Sequence, residues 1–296
     1  LGVGASRAAR PCTGTGGQPL TARQKRIALI NDITGFGRCS VAVQLPLISA
    51  MRVQACPLPT AILSVHTGFP NHYLDDYTAR MRPYMENWAE NDLDFDAILT
   101  GFLGSEEQIE VVLDAVHTFK GKDTLVIVDP VMGDHGTLYS SYTPALCAKM
   151  RQLMPFADVV TPNLTEACQL LDLPYPPDGV VTDAALSQMA HQLAAMGPRA
   201  VVITGLHAGD CVRTYLYEDG ESRCYDHVKI GRDRSGSGDV FAAIVAASLV
   251  RGIPLADGVK CAADFIGHCL TYAEELDLPW NYGLPFEEFM GELTKL

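Results

Sequence analysis

The chain has 296 residues, of which 48% are hydrophobic, and this length and composition allow a sizeable buried core. Its formal net charge of -13 argues against nucleic acid or an anionic membrane as a main partner, because both require an excess of Lys and Arg. Nine cysteines without any CxxC pair argue against zinc and predict reduced thiols in a cytoplasmic protein, and no run approaches the roughly 18 apolar residues of a membrane span.

The first 25 residues differ in composition from the rest of the chain. They are rich in Gly, Ala, Thr and Arg, and they show no hydrophobic periodicity. Their acid-free, Arg-rich character weakly resembles a transit peptide, but a disordered N-terminal extension is the stronger expectation. We therefore predict a single domain over residues 26–296.

From Arg26 onward, short apolar runs repeatedly end in small or polar residues. Continuous β-branched runs of this length are typical of strands that are covered on both faces, as in a parallel sheet. The predicted strands are 27–30, ending at Asn31-Asp32, then 61–65, 97–99, 125–128, 158–160 and 200–203.

Helical patterns lie between these runs, and one hairpin follows them. Apolar residues recur on one face of 105–119 and of 182–196, which predicts two amphipathic helices. Residues 211–230 form two alternating stretches around Asp219-Gly220, which predicts an antiparallel hairpin at an edge. Alternating strands and helices imply an α/β fold with a doubly wound, mostly parallel sheet, whose ligands bind at the carboxyl ends of the strands.

A glycine turn, Gly236-Ser237-Gly238-Asp239, opens directly into an Ala-rich apolar run. The free N–H groups of a helix start suit a phosphate or the charge that develops during its transfer. Asp239 at this position could accept a proton from an attacking hydroxyl. A plain helix N-cap explains the same residues equally well.

Two further strand ends carry acidic or amide side chains. Asp129 and Asp134 flank Pro130-Val131-Met132-Gly133, and they could hold Mg²⁺ near a polyphosphate or simply stabilise a turn. Asn163 and Glu166 are three residues apart, so at a helix start they share a face. They could organise Mg²⁺, or they could form a capping box.

The remaining strand ends are less informative. His66-Thr67-Gly68 follows 61–65, where an imidazole and a hydroxyl could orient a polar substrate, although a lone His is more often structural. Gly35-Phe36-Gly37 follows the first run, but no acid occurs between Asp32 and Asp75 to bind a ribose. A nicotinamide dehydrogenase is thus disfavoured, and the chain has no P-loop motif.

Four stretches resemble the ribokinase superfamily, specifically its pyridoxal (vitamin B6) kinase branch. They are 236–239, similar to the family's G-T-G-D; 129–134, similar to D-P-V-[LM]-G-D; 161–166, similar to T-P-N-x-x-E; and 64–69, similar to S-N-H-T-G-Y. The resemblance runs from about residue 27 to the C-terminal helix, and it implies a ribokinase-like fold. The last segment is the most specific, because it separates this branch from sugar kinases.

The resemblance implies phosphorylation of the 5′-hydroxymethyl group of pyridoxal, pyridoxine or pyridoxamine by ATP with Mg²⁺. Asp239 would be the base, and Gly236, Ser237 and Gly238 would stabilise the transferring phosphoryl group through their N–H groups. The other implied roles are ring contacts by Asp32, His66, Thr67 and Phe102; nucleotide contacts by Asp129, Asn163, Thr204 and Arg232; and metal ligation by Glu166, Asp129 and Asp134. The family also implies a homodimer, and it leaves a monovalent-cation requirement such as K⁺ open.

Several residues depart from the family pattern. Ser237 replaces the usual Thr, Asp32 stands where many relatives have Ser, Val65 replaces Asn, and Phe102 replaces a frequent Tyr. These changes concern ring specificity more than the type of reaction. The alternatives are a hydroxymethylpyrimidine kinase on the same fold and a catalytically idle nucleotide-binding regulator.

Overall fold

The structure, a computed structural model that describes residues 23–296, is organised around a nine-stranded sheet. Its strands are β1 (Arg26–Phe36), β2 (Gln54–Val65), β3 (Leu74–Asp76), β4 (Ala97–Thr100), β5 (Leu125–Val128), β8 (Val159–Val160), β9 (Ala200–Ala208), β10 (Cys211–Glu218) and β11 (Glu221–Val228). A separate two-stranded sheet consists of β6 (Gly133–Asp134) and β7 (Thr137–Leu138).

The strand order is β11-β10-β9-β8-β5-β4-β1-β2-β3. The neighbours from β9 through β2 pair in parallel, whereas β3 and the β10–β11 hairpin add antiparallel edges. This confirms the predicted mostly parallel α/β sheet, including the hairpin that turns at Asp219-Gly220. All the parallel strands point the same way, so their carboxyl ends meet along one rim of the sheet.

Helices cover both faces of the sheet. They are α1 (Val41–Ala50), α2 (Thr78–Glu90), α3 (Glu106–Phe119), α4 (Pro144–Met150), α5 (Leu164–Leu171), α6 (Asp183–Ala194), α7 (Ser237–Val250), α8 (Leu255–Glu275) and α9 (Met290–Leu293). Two of them agree with the predicted helices at 105–119 and 182–196. Both begin where a hydroxyl accepts an N–H from the first turn, Ser105 from Gln108 and Thr182 from Ala185.

The alternating side chains of β1 divide the core into two layers. Ala28 and Ile30 pack against α2 to α6, whereas Ile27 and Leu29 pack against α1, α7 and α8. Helix α7 is apolar around nearly its whole circumference, because it lies between the sheet and its neighbouring helices. The sheet and these helices therefore fix the N-terminus of α7 rigidly at the rim.

The prediction that the first strand ends at Asn31 is wrong. Strand β1 continues to Phe36 alongside β2, and its register shifts between Asn31 and Ile33. A bulge of this kind re-aims side chains without ending the strand. It leaves Asn31, Asp32 and Thr34 buried within the strand, so the polar residues did not mark a strand end.

The predicted extension 1–25 lies mostly outside the described residues. In the part of this extension that the structure describes, Lys25 Nζ lies 2.8 Å from Asp96 Oδ1, and Arg23 also forms an ion pair with Asp96. Between residues 23 and 296, no helix combines the length and the apolar character that a membrane crossing requires.

The Ser105 cap yields a stability prediction. Replacing Ser105 with Ala removes the acceptor that lies 3.2 Å from the Gln108 nitrogen. We expect Ser105→Ala to lower the free energy of unfolding by about 1 kcal/mol in urea titrations, with an unchanged dependence on denaturant. An unchanged midpoint would show that water replaces the cap at no cost.

Candidate active site

The N-terminus of α7 lies at the centre of the rim. Gly236 precedes the helix with a φ of +81°, and a Cβ there would lie 2.0 Å from the carbonyl oxygen of Arg38. Only glycine tolerates both the left-handed backbone and this close approach. The first N–H groups of the helix have no partner within it, so the turn forms a concentrated set of donors for an anion.

Arg234 holds the loop that leads into this turn. Its side chain is only 3% exposed, and it donates to the carbonyl oxygens of Leu278 and Pro279 at 2.9 and 3.2 Å and to Glu274 at 2.8 Å. The Ser237 hydroxyl in turn donates to the Arg234 carbonyl at 2.7 Å. The loop is thereby fixed to the end of α8, whereas the predicted nucleotide ligand Arg232 is exposed.

Asp239 lies in the first turn of α7 with both carboxylate oxygens engaged. Oδ1 accepts from Asn31 Nδ2 at 3.0 Å, and Oδ2 accepts from the Ser40 N–H at 2.8 Å. Burial raises the pKa of Asp239 to about 6, and the nearby Asp32 adds to the rise. A carboxylate with this pKa is ionised at neutral pH and remains a competent proton acceptor.

Two further carboxylates are buried near this turn, one that interacts with Asp239 and one that interacts with the first. Asp129, at the end of β5, is 6% exposed, and Glu166 in α5 is 4% exposed. Burial raises the pKa of each well above its usual range, Asp239 raises that of Asp129 further, and Asp129 does the same for Glu166. Oδ2 of Asp129 lies 4.0 Å from where a side chain on Gly238 would begin, so this carboxylate faces the helix turn.

The start of α5 confirms the capping box. The Asn163 side chain accepts the Glu166 N–H at 3.0 Å, and Glu166 accepts the Asn163 N–H at 2.8 Å. The second Glu166 oxygen accepts from Met132 at 3.1 Å, and Asn163 Nδ2 donates to the Gly133 carbonyl at 2.8 Å. Thr204 pairs with Asn163 across the sheet end. Capping therefore fixes both side chains, and it holds Glu166 close enough to Asp129 for that carboxylate to raise its pKa.

The donor set fits a hydrated Mg²⁺ better than a direct protein cage. Among residues 23–296, no group of three His, Cys, Asp or Glu side chains is arranged to enclose a metal. Mg²⁺ keeps several waters and takes only one or two carboxylates, and here Asp129 and Glu166 provide two. Among residues 23–296, the buried hydroxyl of Thr100 at the end of β4 has no hydrogen-bond partner, which leaves a polar atom for water beside this pair. The Thr161 hydroxyl at the end of β8 lowers the pKa of Asp129 through a hydrogen bond.

Asp134 is more peripheral than these two carboxylates. It is exposed in the β6–β7 turn, where its side chain accepts the His135 N–H at 2.8 Å. This is the turn-stabilising contact that the sequence offered as an alternative. Asp134 nevertheless lies close enough to raise the pKa of Glu166. Its predicted metal contact stays a prediction.

Asp32 is buried within β1 rather than placed at an open strand end. It is 5% exposed, and it accepts from the Thr34 hydroxyl at 2.6 Å. Burial raises its pKa, while hydrogen bonds from Ser40 and Thr34 oppose the rise. The side chain is thus tied to its own strand and to the residue that also contacts Asp239.

His66 has both ring nitrogens engaged by the backbone. Nδ1 accepts the Gly68 N–H at 3.1 Å, so Nε2 carries the proton and donates to the Asn281 carbonyl at 2.8 Å. The ring lies 4.9 Å from Phe69 and 6.2 Å from Trp280, while Thr67 is exposed in the adjacent turn. These contacts agree with a structural His66 that joins the β2 end to the C-terminal loop.

Phe102 follows β4 and is linked to Asp239 through Asn31. Its N–H donates to Asn31 Oδ1 at 2.8 Å, its carbonyl accepts from Thr60 at 2.9 Å, and its half-buried ring lies 6.0 Å from Tyr142. A ring held in this way could cover a flat substrate, as the sequence suggested.

The structure thus gathers 236–239, Asp32, Asp129, Asn163, Glu166 and Thr204 along one rim, with His66, Thr67, Phe102 and Asp134 at its margins. Sequence reasoning assigned no role to Asn31 or Ser40. The polar pair Asn31-Asp32 between apolar residues is a signal for the first, but Ser40 acts through its backbone, which no side-chain pattern reveals.

The buried carboxylates lead to a stability prediction. A carboxyl whose folded pKa is raised binds a proton more tightly in the folded state, so it reduces stability as pH rises through the folded pKa. We expect Asp129→Asn to raise the melting temperature by roughly 2–6 °C at pH 7.5 in metal-free buffer, because an amide costs less to bury than a charge. The gain should shrink as pH falls toward 5. A variant that melts lower than the wild type at pH 7.5 would contradict this interpretation.

Comparison with known proteins identifies related kinases. The family model described as phosphomethylpyrimidine kinase matches residues 45–281. A hydroxymethylpyrimidine/phosphomethylpyrimidine kinase of Rhizobium meliloti is 27% identical over 251 residues, which cover 83% of this chain and 91% of the relative. A pyridoxine/pyridoxal/pyridoxamine kinase of Bordetella avium is 34% identical over 254 residues, covering 80% and 81%. The match to a bifunctional thiamine biosynthetic enzyme of Arabidopsis thaliana spans only 38% of that enzyme.

A solved structure extends this likeness to the fold. A Bacteroides thetaiotaomicron protein, provisionally named a phosphomethylpyrimidine kinase and crystallised with pyridoxal, superimposes with a TM-score of 0.88 at 34% identity. The match covers 92% of this chain and 96% of the other. The fold is therefore the ribokinase-like fold that the sequence implied, and the chain belongs to the phosphomethylpyrimidine kinase family, whose members are kinases.

Proposed function

We propose that this kinase transfers the γ-phosphoryl group of ATP to the 5′-hydroxymethyl group of pyridoxal, pyridoxine or pyridoxamine. The observation that carries the proposal is the Asp239 carboxylate, held on both oxygens in the first turn of α7, directly beside a glycine turn rich in free N–H groups. A base and an anion site in one helix turn are what transfer to an alcohol needs.

The reaction follows from this arrangement. Asp239 accepts the proton of the substrate hydroxyl while the hydroxyl oxygen forms a bond to the γ-phosphorus of ATP. The bond between the γ-phosphorus and the oxygen that bridges it to the β-phosphorus breaks, and ADP is released. The N–H groups at Gly236, Ser237 and Gly238 donate to the charge on the transferring group. Because the packing of α7 fixes these donors beforehand, they need little reorganisation during the transfer.

Asp129 and Glu166, with Asn163 beside them, are the groups that would hold Mg²⁺ through water. Bound there, the ion would neutralise the phosphates of ATP. The protein itself prepares the place: Glu166 is fixed by two backbone N–H groups, and Asp129 faces the anion site. Thr204 and the exposed Arg232 remain predicted contacts for the nucleotide.

Two observations support a B6 vitamer as the alcohol. The Bordetella relative that is 34% identical is a B6 kinase, and the related Bacteroides structure was crystallised with pyridoxal. The segment 64–69, which resembles B6 kinases, is consistent with these observations, because its His66 lies close enough to Asp32 to lower the pKa of that carboxyl. The family model and the Rhizobium relative favour the second candidate, hydroxymethylpyrimidine, whose hydroxymethyl group would undergo the same transfer.

A substrate panel tests the choice of alcohol. Purified protein with Mg²⁺-ATP should release ADP and form a phosphorylated product with at least one B6 vitamer, at a higher kcat/KM than with hydroxymethylpyrimidine. Product should be identified by mass as well as by ADP release, so that ATP hydrolysis is not mistaken for transfer. Phosphorylation of hydroxymethylpyrimidine alone would reassign the substrate, and binding of ATP without any product would favour the idle regulator.

Removing the base tests the reaction itself. We expect Asp239→Ala to lower kcat by about 10²–10⁴-fold, because positioned proton transfer contributes on that order. The matched control is Asp257→Ala, which removes an exposed carboxylate from the first turn of α8 and should leave kcat within about twofold. Comparable turnover in the two variants would remove Asp239 from the mechanism.

A further inference from the structure

Asn31 is a buried junction that joins four separate groups at the rim. It has no exposed surface, and its side-chain nitrogen donates to Gln44 Oε1 at 2.9 Å and to Asp239 Oδ1 at 3.0 Å. Its side-chain oxygen accepts from the N–H groups of Asp32 and Phe102, at 2.9 and 2.8 Å. All four of its hydrogen-bonding positions are therefore used.

These contacts determine how Asp239 is oriented. The carboxylate of an Asp side chain can rotate about its Cβ–Cγ bond. In Asp239, the Asn31 amide and the Ser40 N–H each donate to one of the two oxygens. Their opposing contacts fix the plane of the carboxylate. Loss of either donor frees that rotation, so the lone pair facing the substrate would no longer be held in place.

The same amide also fixes the segment that follows β4. The bond from the Phe102 N–H to Asn31 Oδ1 fixes the backbone just where the chain leaves the sheet. A Cβ on Gly101 would lie 2.4 Å from the Asn31 amide, so the chain carries glycine where the amide needs room. Asp239 and Phe102 thus depend on one rigid group.

We propose that Asn31 is a positioning residue that aligns the Asp239 carboxylate with the segment carrying Phe102. This proposal rests on the proposed function, because it requires Asp239 to act as the base. The bulge in β1 serves this purpose: it keeps the strand paired while Asn31 turns toward α7. The base Asp239 and the segment with Phe102, whose ring would cover the substrate, are then both held by the same rigid residue of β1.

A double-mutant cycle tests the proposal. Asn31→Leu keeps the approximate size but removes all four hydrogen bonds, and we expect kcat to fall roughly 10²-fold, with the KM for ATP changing less than about threefold. In an Asp239→Asn background, where the base is already absent, the same substitution should lower the residual kcat by less than about threefold. Residual turnover is measured as product accumulated over hours.

Gln44→Met is the matched control. It removes the other acceptor of the Asn31 amide, within the same buried network, without touching Asp239. We expect its kcat to stay within about threefold of the wild type. A loss equal to that of Asn31→Leu, in a variant that melts like the wild type, would show that any disturbance of the buried network lowers turnover, and would overturn the specific role of the bond from Asn31 to Asp239.

If Asn31→Leu does not fold, Gly101→Ala replaces it in the cycle, since the added Cβ displaces the amide without deleting it. The proposal predicts the same pattern: Gly101→Ala lowers kcat in the wild-type background, but it has no further effect on kcat in the Asp239→Asn background. Equal losses in both backgrounds, with Asp239→Asn itself severely impaired, would overturn the positioning role and leave the proposed function intact. Near-normal turnover of Asp239→Asn would overturn both.

Discussion

The structure depends on holding one negatively charged group, the Asp239 carboxylate, where protein atoms have largely replaced water. Removing a carboxylate from water is costly unless it receives hydrogen bonds, and two donors supply them: Asn31 from the bulged strand β1 and the backbone N–H of Ser40. Ser40 itself has a φ of +58°, which is rare for a residue with a side chain. Strain in this loop is thus coupled to orientation of the carboxylate.

The surrounding backbone is packed to preserve this arrangement. Gly236 fits against the carbonyl of Arg38, and Gly283 in the C-terminal loop fits against the carbonyl of Gly37. The buried Arg234 binds the loop before α7 to that same C-terminal loop through two carbonyl oxygens. Three segments that are distant in sequence therefore meet around the turn, and a kinase that must exclude water from its phosphoryl group benefits from such closure.

The buried carboxylates at the rim destabilise the folded protein. Burial raises the pKa values of Asp32, Asp129, Glu166 and Asp239. Neighbouring charges raise three of them further, because Asp32 acts on Asp239, Asp239 on Asp129, and Asp129 on Glu166. Burying these charges lowers the free energy of unfolding, as is common where a site must hold charged groups in place for a ligand. On the proposed function, Mg²⁺ bound with ATP would supply the positive partner for these carboxylates.

The sequence anticipated the parts of this account that depend on local patterns. Apolar runs and helical periodicity gave the sheet and two helices, and the Asn163–Glu166 spacing gave a capping box that the structure contains. The family motifs, more than any single residue, indicated a kinase. The first strand was misjudged because polar Asn31 and Asp32 were taken as its end, although they continue it as buried residues.

What the sequence could not provide depends on contacts between distant segments. The bond between Asn31 and Asp239 spans 208 positions, and the contribution of Ser40 comes from its backbone. His66 shows the converse: its motif suggested a ligand for the substrate ring, yet both of its nitrogens contact the backbone. Burial and pairing of this kind arise only once the chain has folded.

The most direct test is the pH dependence of kcat/KM for the alcohol substrate at saturating Mg²⁺-ATP. With Asp239 as a base whose pKa lies at about 6, kcat/KM should be constant above pH 7 and should fall toward tenfold per pH unit well below pH 6. The limb should have the same position for pyridoxine and for hydroxymethylpyrimidine, which separates ionisation of the enzyme from that of the substrate. A profile that stays flat from pH 5 to pH 8 with both alcohols would show that the held carboxylate does not accept the proton.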